Sequence, residues 1–152
     1  MMNPTDLADM VIMNKLITVT GLSRDNTFNN ETFIDLDSYC FFYNVMSDLL
    51  FANNHYEELW TELDYDIKYW KKIKTEADME FMYEIMSNID NVLVGQGISY
   101  TETYDTDPVT SKTYAVKSCR RMDIIRDGYR EDGEQWECRG GRYKIIVPRL
   151  LL

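Results

Sequence analysis

The side chains able to do covalent or metal chemistry are few in this chain. One histidine, His55, and three cysteines, Cys40, Cys119 and Cys138, are the whole supply of imidazole and thiol. A hydrolase triad requires a nucleophile, a base and an orienting acid within hydrogen-bond reach, and histidine is the commonest base. His55 follows Asn53-Asn54 at the start of a predicted helix, a position suited to capping. Structural zinc requires clustered Cys and His ligands, which three scattered cysteines without a CxxC pair do not supply.

Carboxylates are more plentiful, but their spacing is not that of a known ion loop. Asp35-Leu36-Asp37 and Asp64-Tyr65-Asp66 lack the central glycine and terminal glutamate of a calcium loop. Asp105 and Asp107 fall on a hairpin loop, and with Glu134 and Glu137 they make one arrangement that would suit a magnesium-dependent hydrolase. Acids in hairpin loops are also ordinary turn formers. The glycines of Gly95-Gln96-Gly97 and Arg139-Gly140-Gly141 do not have the spacing of a phosphate-binding loop, so no cofactor is expected.

Binding chemistry is better represented. Arg120, Arg121, Arg126, Arg130, Arg139 and Arg142 accumulate near Tyr129 and Tyr143, the mixture of cations and aromatics that a single-stranded nucleic acid would need. Asp123, Asp127, Glu131, Asp132, Glu134 and Glu137 interleave with them, which reads instead as a salt-bridged surface. The 152 residues carry a net charge of -10, distributed unevenly: residues 1–98 hold 17 acids and 6 bases, residues 99–152 hold 9 acids and 10 bases. An acidic half repels phosphate and favours a basic partner.

The elements that must position these groups follow from periodicity. Asn3-Pro4-Thr5-Asp6 starts a helix that Gly21 stops; residues 31–52 are apolar nearly all round and predict a central helix; residues 54–73 predict another, and Thr75-Glu76-Ala77-Asp78 opens a fourth running to about Val94. After Gly97 the pattern is that of strands. Residues 98–104 and 112–118 flank a polar connection containing Pro108, and Gly140-Gly141 predicts a two-residue turn that sets Glu137 opposite Lys144. Between these hairpins residues 122–129 predict a further strand, with Asp127-Gly128 or Asp132-Gly133 turning the chain. The expected fold is therefore α+β in one domain, residues 1–152: about four helices in residues 1–95 packed on an antiparallel sheet of four to five strands in residues 96–152.

The odd number of cysteines favours a reducing, cytoplasmic compartment, and no stretch reaches the roughly 20 apolar residues of a membrane helix. The abundance of Met, Asn, Tyr and Asp in a small acidic chain is similar to that of accessory proteins of phages and other viruses, which implies the host cytoplasm. The leading expectation is a non-enzymatic protein-interaction module, such as an inhibitor, that binds a basic or nucleic-acid-handling protein. The alternatives are a nucleic-acid binder using Arg120, Arg121, Arg126, Arg139 and Arg142, an assembly protein docking its Leu150-Leu151-Leu152 tail, and the metal-dependent hydrolase.

On a helix at 54–73, Tyr56, Leu59, Trp60, Leu63, Ile67 and Trp70 share one arc and form the core stripe, leaving Glu58, Glu62, Tyr65 and Tyr69 as the exposed partner-binding patch. This reading expects Tyr65→Ala with Tyr69→Ala to weaken partner binding and leave the fold intact. It expects Trp60→Ala to cost about 3–5 kcal/mol of stability.

Overall fold

The computed structural model describes residues 3–29, 37–51 and 58–150. Helix α1 (Pro4–Thr20) starts and stops where its sequence signals stand. Asn3 Oδ1 accepts the Thr5 N–H at 2.8 Å, Pro4 occupies a first-turn position where its missing N–H costs nothing, and Gly21 closes the helix at φ 70°. A 3-10 turn (Arg24–Asn26) leads into β1 (Thr27–Phe28), followed by the long strands β2 (Ser38–Phe51) and β3 (Glu58–Ile73). Helix α2 (Glu76–Leu93) opens with a reciprocal capping box between Thr75 and Asp78. After it come β4 (Gly95–Gln96), the hairpin β5 (Ser99–Tyr104) and β6 (Thr110–Ala115), and the long strands β7 (Ser118–Glu131) and β8 (Glu134–Leu150).

The expected helical half is corrected: the described residues form two α-helices, and the segments read as helices at 31–52 and 54–73 are strands wherever they are described. They belong to a six-stranded sheet of order β1-β2-β3-β8-β7-β4, antiparallel except for β1 beside β2, while β5 and β6 form a separate two-stranded sheet as their sequence predicts. The physical reason lies in which period the side chains satisfy. Leu63 and Ile67 fit a period of 2 as well as one of 3.6, so they decide nothing. Tyr65 and Tyr69 decide it, because with Leu63 and Ile67 they form an unbroken alternation against Glu62, Asp64, Asp66 and Lys68. In β2 the all-round apolarity is that of a strand covered on both faces, with Cys40 and Phe42 on one side and Tyr39 and Phe41 on the other.

Both helices lie on one face of the sheet. Their apolar sides, including Ala8, Val11, Ile12 and Leu16 of α1 and Met82, Ile85, Ile89 and Leu93 of α2, close over Leu63, Tyr65, Ile67, Tyr143, Ile145 and Val147 of the central strands. Tyr65 and Tyr143 are register partners in the β3–β8 ladder, and each sends its hydroxyl to a carboxylate on a different helix: Tyr65 to Asp9 at 2.5 Å, Tyr143 to Asp90 at 2.6 Å. Burial, followed by the bond to Asp9, holds the Tyr65 phenol far above its ordinary pKa, and burial likewise raises the Asp9 carboxyl. Arg121 completes the α2 contact through its ion pair with Asp90.

Two further expectations are corrected by the register, and of the two turns expected near residues 122–133 it selects Asp132-Gly133. Gly140-Gly141 is not a turn but the middle of β8, paired with Lys68 and Ile67 on one side and with Ile125 and Ile124 on the other. The turn is Asp132-Gly133, both residues at positive φ (50° and 79°), which joins β7 to β8 as a two-residue hairpin. The Glu137–Lys144 pair is accordingly absent: Lys144 pairs with Glu62 across the seam, and Glu137 with Arg139 along its own strand. His55, Tyr56, Leu151 and Leu152 lie outside the described residues, so the expectations about the histidine and the last two leucines do not bear on this structure.

Tyr65 and Tyr69 are 0% and 2% exposed, so the exposed tyrosine patch does not exist. Tyr65→Ala with Tyr69→Ala is expected to abolish the fold, because each core aromatic truncation costs about 3–5 kcal/mol against a total stability of about 5–15 kcal/mol. Urea unfolding followed by circular dichroism checks this; a double variant with the wild-type midpoint would contradict the strand assignment. A Cβ at Gly140 would stand 1.8 Å from the Ile67 carbonyl oxygen. Gly140→Ala must therefore spread the two central strands and is expected to lose at least about 3 kcal/mol in the same measurement.

Candidate functional site

Beyond Gly140–Gly141 strand β8 stays paired with β3 as far as Gln135, and the two faces of the β7–β8 hairpin differ in chemistry. Directly opposed residues share a face, so the register pairs Arg126 with Arg139, Gly128 with Glu137 and Arg130 with Gln135 on one side. Asp127 with Cys138 and Tyr129 with Trp136 stand on the other. The second side is a brace: Tyr129 stacks on Trp136 with centroids 6.1 Å apart and meets Trp70 at 5.6 Å, while Tyr39 meets Trp136 at 5.8 Å. Lys72 lies over the Trp136 ring at 5.3 Å and reaches Glu134 at 3.1 Å and Asp37 at 3.4 Å.

The first side opens on a polar cleft of about 440 Å³ lined by Arg126, Asp127, Gly128, Arg130, Gln135, Glu137 and Arg139, with Tyr129 and Trp136 also bordering it. Gly128 makes room for it: a Cβ there would lie 3.1 Å from the Trp136 carbonyl oxygen and 3.2 Å from Glu137 Oε2. Along β8 the polar groups are chained. Gln135 Nε2 donates to Glu137 Oε1 at 3.1 Å, and Arg139 Nη1 donates to Glu137 Oε2 at 3.0 Å and to the Cys138 carbonyl at 2.8 Å. Across the ribbon Arg130 Nη2 donates to the neutral Gln135 Oε1 at 3.3 Å, and Arg126 has no hydrogen-bond or ion-pair partner among the described residues. Of these three guanidinium groups only that of Arg139 is paired with a carboxylate among the described residues. Like charges directly opposed across a ladder are destabilising, and Arg126 facing Arg139 is such a pair.

The arginines grouped from sequence as a nucleic-acid surface are divided by this geometry. Arg126 and Arg139 line the cleft. Arg121 is committed to Asp90, and Arg142 binds Asp66 in a two-bond fork at 2.7 and 3.1 Å. Arg120 is exposed opposite Lys144 on the other side of the sheet. The acidic-tyrosine grouping is divided as well: Glu62 bonds Lys144, Tyr65 and Tyr69 are core, and the Glu58 side chain is outside the described set. Asp105 and Asp107 lie on the β5–β6 connection, whereas Glu134 and Glu137 are held by Lys72 and Arg139; no group of three or more metal-ligating side chains assembles among the described residues. The role of Gly128 and Gln135 in the cleft was not visible before the hairpin register was known. The signal for it in the sequence is Asp132-Gly133, which stands beside Asp127-Gly128 as one of two alternative turns.

All three cysteines are buried, and none is in a disulfide. Burial, with a smaller contribution from Cys138, lifts the Cys40 thiol far above its ordinary pKa, and burial followed by the nearby Asp90 charge pushes Cys119 up to about 12. Neither is a thiolate near neutral pH, and the thiolate is the nucleophilic form. No described helix is long and apolar enough to cross a membrane. No protein-family model matches the chain, and no curated protein is recognisably similar to it.

A colorimetric thiol titration at pH 8 is expected to count essentially no reactive cysteine in the native protein and all three after denaturation. Rapid labelling of even one native thiol would place that sulfur at the surface.

Proposed function

We propose that the protein is a non-enzymatic interaction module that captures a carboxylate-bearing segment of another protein in the cleft formed by Arg126, Arg130 and Arg139. The observation that carries this reading is the imbalance on that face: three guanidinium groups of which only Arg139 is paired with a carboxylate, on a hairpin braced from behind by stacked aromatics. A planar guanidinium matches a carboxylate with two parallel hydrogen bonds, so a partner carboxylate both neutralises the excess charge and is oriented by it.

The surroundings favour a peptide over a nucleic acid. Asp127, Glu131, Asp132 and Glu134 flank the cleft at the hairpin end, and the chain carries -10 overall. A phosphate polymer spreads its charge over many sites and meets that field at every one of them. A peptide with one or two acids among neutral or basic residues meets it only where the arginines are. The same field speeds encounter with a partner that is basic overall.

The test uses fluorescence anisotropy at low salt with a short peptide carrying two glutamates among lysines, against single-stranded oligothymidine. The peptide is expected to bind, and Arg126→Gln with Arg130→Gln to weaken it about tenfold or more, which is about 1.4 kcal/mol, without changing the circular dichroism spectrum. Tighter binding of the oligonucleotide than of the peptide would favour a nucleic-acid function instead, and an unaltered affinity in the double variant would remove the cleft from the account.

A further inference from the structure

The cleft lies along a strand edge that has no neighbour. Strand β4 covers only Ser118 and Cys119, so from Arg120 to Glu131 the outer edge of β7 has no strand beside it among the described residues. Two of its backbone groups are held by the strand's own carboxylates: the Ile124 N–H donates to Asp123 Oδ1 and the Gly128 N–H to Asp127 Oδ1, each at 2.8 Å. Outward-facing groups alternate along an antiparallel edge, so these two bonds identify Ile124, Arg126, Gly128 and Arg130 as the residues whose N–H and C=O point away from β8. An aspartate bonding the next residue's N–H blocks unspecific edge pairing, but it swings away without disturbing the ladder behind it.

The side chains of the same edge sort by charge. Arg126 and Arg130 stand on the cleft side with the exposed Ile124 between them and the bulge at Met122, whereas Asp127 and Tyr129 stand on the other side. We infer that β7 takes up an extended segment of the partner as an added antiparallel strand between Ile124 and Arg130, with acids four residues apart opposite Arg126 and Arg130. The inference rests on the cleft reading and specifies the shape of what the cleft holds. Main-chain hydrogen bonds to the free edge supply affinity, and alternate side chains supply the choice of sequence. An apolar residue belongs opposite Ile124, a large one opposite the gap at Gly128, and a base opposite Asp127.

A second copy of this chain does not fit the edge. In a two-fold antiparallel pairing centred on Ile125, Asp123 opposes Asp127; centred on Arg126 or on Asp127, each of those residues opposes itself; centred on Gly128, Arg126 opposes Arg130. Each of these four registers sets like charges face to face, which is unfavourable.

The blocked peptide ETYKEVI carries the required pattern, and KVEETIY has the same composition with its acids adjacent. Amide hydrogen exchange followed by nuclear magnetic resonance is expected to show Ile124, Arg126, Gly128 and Arg130 slowed about tenfold or more by the first peptide and not by the second. Ile124→Pro removes an outward N–H that β8 does not use and is expected to abolish the effect, while Ile124→Thr retains it. Equal protection by both peptides, no protection by either, or full binding to Ile124→Pro would overturn strand addition. The exchange measurement on the wild-type chain stands whether or not the proline variant folds. Loss of binding in the arginine double variant together with full binding to Ile124→Pro would retain the cleft and remove the added strand. Sedimentation showing a dimer with this edge already protected would assign it to a second copy and overturn the inference.

Discussion

The pairing of β3 with β8 is the constraint on which everything else depends. It runs without a bulge from Glu58 opposite Leu150 to Ile73 opposite Gln135, and each strand has its other long neighbour on the far side. Two features make this seam specific. Glycine at 140 lets the backbones meet at a spacing no side chain permits, and the opposed tyrosines at 65 and 143 each anchor one helix. A one-residue slip would turn one of the two tyrosines to the opposite face and leave Asp9 or Asp90 without its hydroxyl partner.

The seam also explains which charges are spent and which are left. Near its centre two pairs of charged side chains facing away from the helices are matched across strands: Asp66 with Arg142 and Glu62 with Lys144. Past the glycines β8 keeps β3 beside it as far as Gln135, but the matching of charges across strands stops on the cleft side. There the arginines outnumber the acids, and β7 loses its outer neighbour over the same stretch. Charge imbalance and free backbone coincide on one edge, which is the physical basis of the functional reading.

Both helix termini were legible in the sequence because capping is local: Asn3-Pro4, Gly21 and the Thr75–Asp78 box act within a few residues of themselves. The β5–β6 hairpin was legible for the same reason. The two long strands β2 and β3 were not, since their partners are remote and their apolar residues satisfy a helical arc as readily as an alternation. Trp60 and Trp70 misled most: on a helix they join the core stripe, whereas in β3 they fall in the polar phase, with Lys117 over the Trp60 ring at 3.8 Å and Tyr129 beside Trp70. Gly140-Gly141 looked like a turn because glycine pairs usually are, but close approach of two strands also demands glycine. The arginines were visible as a group, but the division between structural and unspent ones depends on ion pairs to Asp66 and Asp90, which lie far away in the chain.

The two small bulges carry a consequence of their own. Val45 interrupts β2 just after the residue that faces Tyr65, and Met122 interrupts β7 just after the residue that faces Tyr143. Each long hairpin thus repeats the other's irregularity, and each follows its own helix, so the chain consists of two successive helix-and-hairpin halves that meet at the seam and under the paired helices. During synthesis the first half emerges with its inner edge at β3 complete while β8 has yet to be made. At the usual 5–20 residues per second that edge waits roughly 4–15 s for its partner. The strand that holds the finished protein together is the one most exposed while it is being built.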